Sequence, residues 1–189
     1  MKRLVGFLVG IVGLALAVSS DGALAATECN TGPPPGATPL SGKITGGVVV
    51  NDGDFCFLVG ATVSGGLRVN SGGILIACGS TISDGVVSDG AAGLIFGAEE
   101  IGCDGDVING GVRISNTGPA GVFPPGAPSI ALENSAINGA VHLTGNQGPI
   151  AVAFNTIKGG LFCSNNAFDL DDEGHPSVIS GAIRCKFGD

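Results

Sequence analysis

Val63-Ser64-Gly65-Gly66-Leu67-Arg68-Val69 is one of seven copies of a single unit, and its reading decides the fold. An aliphatic residue is followed by a polar one, a glycine-type pair, and two apolar positions flanking a variable one. The other copies begin at Ile44 (ITGGVVV), Ile82 (ISDGVVS), Ile108 (INGGVRI), Ile137 (INGAVHL), Ile157 (IKGGLFC) and Ile179 (ISGAIRC). The steps between leading residues are 19, 19, 26, 29, 20 and 22 residues. Self-similarity at such a period is the signature of a solenoid and outranks local secondary-structure propensity.

The leading residue and those four and six places on are apolar in nearly every copy, Ser88 being the clear break. The residue between the last two varies: Val49, Arg68, Val87, Arg113, His142, Phe162, Arg184. That is the period-two alternation of a strand with one buried face. The glycine pair predicts a sharp bend, where a missing Cβ permits positive φ. A second apolar run follows in most copies: Phe55 to Leu58, Ile74 to Ala77, Leu94 to Phe96, Ile130 to Leu132, Ile150 to Phe154. Short strands separated by Gly, Asn and Asp describe one coil of a parallel β-helix. No coil can bury its apolar face alone, so neighbours must stack. The expected fold is all-β: a single-stranded parallel β-helix (a β-solenoid) of about seven coils over residues 44–189, roughly 34 Å long at ~4.8 Å per coil. The two long steps imply loop insertions at Ala98 to Asp106 and Thr117 to Pro128. The Pro-rich part of the second, Gly118 to Gly126, cannot be a central strand.

Residues 1–26 read as a secretory signal peptide. Lys2 and Arg3 supply the positive start, Leu4 to Val18 the apolar stretch, and Ala23-Leu24-Ala25 the cleavage site. Residues 27–43 read as an extended Pro/Gly-rich lead-in. Losing the leader removes Lys2, Arg3 and Asp21 from 8 basic and 16 acidic residues, which leaves 6 against 15, a net charge of −9. Such a surface disfavours nucleic acid and anionic membranes. No membrane span is expected after leader cleavage. Gly is abundant, at 35 of 189 residues, but no G-X-Y period exists and collagen is excluded.

All six cysteines follow the leader, and an even count in an exported chain argues for disulfides. Cys163 and Cys185 each sit six residues after a leading Ile, so they stack in adjacent coils at a separation a disulfide accepts. Cys78 and Cys103 precede the next leading Ile by four and five residues, nearly in register. Cys29 and Cys56 remain, tying the lead-in to the first coil. Zinc is disfavoured, since no C-x-x-C pair exists and His142 and His175 stand alone.

Two clusters are candidates for binding. The acidic run Asp169, Asp171, Asp172 and Glu173 offers oxygens of the kind calcium prefers. It lacks EF-hand spacing and reads first as a solvated loop, so no metal is assigned. The variable column places Arg68, Arg113, His142 and Arg184 along one face, where stacked cations suit an anionic glycan. No catalytic residues and no cofactor are expected: no Ser–His–Asp order is readable, Asp84 and Asp89 read as turn aspartates, and the chain has no Trp or Tyr to platform a sugar.

The string Asn155-Thr156-Ile157-Lys158-Gly159-Gly160-Leu161-Phe162-Cys163-Ser164-Asn165-Asn166, followed by Val178 to Cys185, resembles a group of small secreted bacterial β-helix repeat proteins of uncharacterised function. Their units read roughly N-T-I-x-G-N-L-x-C-x-x-N, the last ending at Cys; here Gly160 replaces the usual Asn. The resemblance covers about Ile44 to Cys185. More distantly, the stacked I-x-G-x-V pattern is similar to that of bactofilins, polymer-forming β-helices that are typically cytoplasmic. The resemblance implies a right-handed parallel β-helix, bacterial origin and export, and carries over no functional residue. The expectation is a secreted or cell-surface, non-catalytic solenoid with a structural or adhesive role. Little chain follows Cys185 to cap the last coil, so either the Cys163–Cys185 staple suffices or the end pairs with another copy, end to end. The alternative is a monomeric module that binds extracellular polysaccharide through the Arg/His column; a polysaccharide-active enzyme ranks third.

Overall fold

The computed structural model describes residues 25–34, 36–119 and 121–188. The expected leader lies outside the described residues except for its last two. The chain is a parallel β-solenoid of about eight turns. Each turn between the two end turns carries strands on three faces, and every ladder is parallel.

The first face follows the glycine pair. Its strands are Thr27–Glu28, Val48–Val50, Leu67–Val69, Val86–Asp89, Val112–Ser115, Val141–Thr144, Leu161–Ser164 and Ile183–Arg184, stacked in chain order. Val48, Leu67, Val86, Val112, Val141 and Leu161 form one inward column, with at most 2% of any residue exposed. The third face holds the leading aliphatics. Ile44, Val63, Ile82, Ile108, Ile137, Ile157 and Ile179 stack in strict register. On the second face run Ile74–Cys78, Gly93–Phe96, Ile130–Glu133, Ile150–Ala153 and Leu170–Asp171. The long strand Phe55–Val63 passes unbroken round the corner from second face to third and joins the two into one sheet.

The lead-in continues the stack as a further turn. Thr27–Glu28 pairs with Val48–Val49, and Leu40–Ile44 pairs with the strand above it. The Thr31 hydroxyl accepts the N–H of Phe57 at 2.9 Å.

The glycine pairs work differently from the bend the sequence predicts. Only Gly46 and Gly85 take positive φ, both at 90°. Elsewhere the constraint is close approach. A Cβ on Gly110, Gly139, Gly159 or Gly181 would lie 2.5–2.7 Å from backbone atoms of the preceding coil. Backbone passes over backbone at this corner, and a methyl group would hold the coils apart.

The second face is apolar on both sides, as parallel strands covered on two faces are. Leu58, Leu75, Leu94, Leu132 and Val152 point into the lumen, while Ile76, Ile95, Ala131 and Ala151 point outward and are nonetheless buried. Two of the covering residues come from the insertions. Cys103 from residues 98–106 is bonded to Cys78, and Phe123 packs on the outer cluster opposite Gly93, which leaves no room for a Cβ. The insertions are therefore lids on a hydrophobic outer face.

All three expected disulfides form: Cys29–Cys56, Cys78–Cys103 and Cys163–Cys185, with Cα–Cα distances of 5.3, 4.7 and 4.8 Å. The first and last involve lumen-facing positions near the two ends of the stack; the middle one fastens a lid.

Candidate functional site

The first face brings the four basic and imidazole candidates into one file. Register runs Glu28, Val49, Arg68, Val87, Arg113, His142, Phe162, Arg184. The pleat turns each of these outward, because their neighbours along the strand fill the lumen. The three arginines are exposed, and His142 and Phe162 are half-buried. Phe162 stacks on His142 at 4.8 Å between ring centroids, with 20° between the planes. The Arg184 guanidinium lies 5.9 Å from the Phe162 ring centroid. Both neighbours of Phe162 in the file thus lie against its ring, and the Arg184 guanidinium pays less ordering entropy on meeting a ligand. Beside the file, the glycine corner leaves two shallow depressions. One is lined by Arg113, His142, Val87 and Gly111, the other by Arg68, Asp84, Gly66 and Gly85.

The acidic run does not act as a unit. The Asp171 carboxylate accepts the N–H of Glu173 at 2.8 Å, and that of Asp172 accepts the N–H of Gly174 at 3.0 Å; both brace the turn. Asp169 lies in a depression with Arg184 and Lys186. Glu173 alone reaches a carboxylate cluster, with Glu100 from the first lid and Glu133 from the second face. Their closest oxygens all lie within 4.8 Å of one another. Burial, then the charges of Glu173 and Glu100, pushes the Glu133 carboxyl up to about 8. Glu173 is raised as well, by burial and by Glu100 and Asp171, with His175 opposing. Like charges drawn together in a partly dry site retain a proton. Among the described residues these three converge as oxygen donors, and of them only Glu173 stands in the acidic run.

Phe154 borders this cluster with φ of 58°, where earlier coils place Gly60, Gly79, Gly97 and Asn134. A left-handed backbone is costly for a bulky residue. The Phe154 ring stacks on that of His175 at 4.1 Å, and the Phe154 backbone N–H donates to the His175 carbonyl at 3.0 Å.

Asp84 and Asp89 sit at opposite ends of one first-face turn and form no pair. Asp89 accepts from the Asn116 amide at 2.7 Å and the Ser115 hydroxyl at 2.9 Å, which lowers its carboxyl below the usual range.

Sequence reasoning missed an internal polar ladder at the corner between second and third faces. Ala61 N–H donates to Ser80 Oγ, Ser80 N–H to Asp106 Oδ1, Asp106 N–H to Ser135 Oγ, Ser135 N–H to Asn155 Oδ1, and Asn155 N–H to Ser177 Oγ, over 2.7–3.2 Å. A second ladder at another corner runs Thr117, Asn146, Asn166. Each rung satisfies a buried backbone donor where the strands break. The signal was present: a small polar residue recurs two places before the leading aliphatic in most copies. No family model, curated protein or solved structure matches the chain.

Proposed function

We propose that this protein is an exported, non-catalytic β-solenoid that acts as a structural element and self-associates through its last coil. The carrying observation is the state of that coil. Val178–Ile179 and Ile183–Arg184 each pair on one side only. Ile183 stands in register with fully buried Leu161, yet it is 52% exposed, and Val178 is 68% exposed. A core position left open beside unpaired strand edges is a template for another chain. At the opposite end Thr27–Glu28 and Leu40–Ile44 also pair on one side only, but the core positions Cys29 and Ile44 are buried. The asymmetry favours tail-to-tail pairing, a closed two-fold contact, over an open filament. Three disulfides support an oxidising destination. No helix among the described residues is long and apolar enough to cross a membrane.

Light scattering on the oxidised protein over a wide concentration range tests the reading. A dimer that Ile183→Lys converts to monomer is the expected result. A monomer at every concentration overturns self-association.

A further inference from the structure

We infer that the outward file of the first face binds a linear acidic polysaccharide. The inference supplies a ligand for an exported surface protein and rests on that part of the reading above, not on self-association.

The chain carries six cationic side chains after the leader: Lys43, Arg68, Arg113, Lys158, Arg184 and Lys186. Three of them, all arginines, share one file with His142, and Lys186 lines a depression with Arg184. Beyond Glu28 no position of the file is acidic, although the mature chain is strongly acidic. Half of the cations thus lie on one strip, with Asp84 beside Arg68 and Asp169 beside Arg184 at its margins, while Glu100, Glu133 and Glu173 gather beside the second face. Adjacent strands repeat at about 4.8 Å, so Arg68 to Arg113 spans about 10 Å, Arg113 to Arg184 about 14 Å, and the stretch from Arg68 to Arg184 about 24 Å. A strip of that length suits an extended chain with regularly spaced anions and exceeds what one small anion needs.

The type of anion follows from the side chains. Arginine forks pair with carboxylate or sulfate through two parallel hydrogen bonds. Phe162 has His142 on one side and Arg184 on the other, so its ring faces are engaged. It orients the Arg184 guanidinium and offers no platform for a sugar ring or a nucleobase. That arrangement selects against neutral glycans and against single-stranded nucleic acid, which depends on base–aromatic stacking. The depressions floored by Gly66, Gly85 and Gly111 let a polymer lie close to the backbone beside Arg68 and Arg113.

The test is retention of the folded, oxidised protein on immobilised alginate and heparin, with dextran and single-stranded DNA as comparison surfaces. Retention on alginate or heparin that weakens as salt rises is expected, with little on dextran or DNA. Replacing Arg68, Arg113 and Arg184 together by Ala should weaken it at least about tenfold, since three exposed ion pairs sum to that order. Replacing Lys43 and Lys158 should leave it nearly unchanged. The arginines are exposed, and an unchanged far-ultraviolet spectrum and intact disulfides report folding of each variant. No retention on either acidic surface, equal retention on DNA, or retention insensitive to the triple substitution each overturns the inference. Light scattering on the same samples reads self-association separately, so the two ideas fail independently.

Discussion

The backbone N–H of Ser80 donates to Oδ1 of Asp106 at 2.7 Å, while Oδ2 of the same carboxyl has no partner. Asp106 is 1% exposed and stands in a ladder otherwise built from Ser and Asn. Burial pushes its carboxyl up to about 7, against the pull of the Ser80 and Gly97 N–H groups. The folded chain therefore holds a proton that the unfolded chain has released above about pH 4. The Asp106 contribution to stability falls as pH rises from about 4 to 7 and is constant above that range. Asp106→Asn keeps the acceptor for Ser80 and adds a donor, as Asn155 does in the same column when its amide reaches the Leu132 carbonyl at 2.6 Å. The variant should be more stable by about 1–3 kcal/mol at pH 8 and nearly unchanged at pH 4. Denaturant unfolding at both pH values checks this; a less stable variant at pH 8 would refute it. A remaining slope toward pH 8 belongs to Glu133.

Ser88 breaks an inward column between Val69 and Ile114. Its hydroxyl is buried and makes no hydrogen bond. Ser88→Val replaces an unpaired polar group with the residue type found in neighbouring coils, and should stabilise by about 1–3 kcal/mol. Ser88→Ala tests the desolvation part without adding volume. Thermal unfolding of the two variants separates the contributions, and a loss of stability in both would contradict the argument.

Gly159 faces the Ala140 and Gly139 backbone, and an added Cβ would come within 2.5–2.6 Å of it. Main-chain atoms cannot rotate away. Gly159→Ala should cost about 1–3 kcal/mol or more. Gly118→Ala, where nothing lies within 4 Å, should stay within about 0.5 kcal/mol of the parent. Equal melting temperatures for the two variants would rule out coil-on-coil contact as the reason for the glycine.

The architecture was legible because a solenoid repeats its decisions. Ile44, Val63 and Ile82 announce one column at equal steps, and the cysteine register followed from the same counting. The file Arg68, Arg113, His142, Arg184 was legible for that reason too. The step to Phe162 as its organiser was not, since ring stacking depends on side-chain rotamers and leaves no trace in spacing. The Glu100–Glu133–Glu173 cluster was hidden because it joins a lid, a strand and a turn that the chain separates widely. The two lids were found as insertions, but their purpose was missed. It lies in the outward residues Ile76 and Ile95, which a one-sided strand would have made polar. The positive φ expected of the glycine pairs holds at Gly46 and Gly85, and close approach of backbone to backbone is the reason at Gly110, Gly139, Gly159 and Gly181.

Stacked coils that touch only their neighbours peel from the extremities inward. In this molecule Cys29–Cys56 and Cys163–Cys185 tie the first and last turns to the turns beside them, inside the lumen. Peeling therefore has no cheap place to begin, and the central coils are released only after a clamped end has opened. Persistence of the rod then becomes a matter of how long it takes to come apart, and less of how far the folding equilibrium lies to one side.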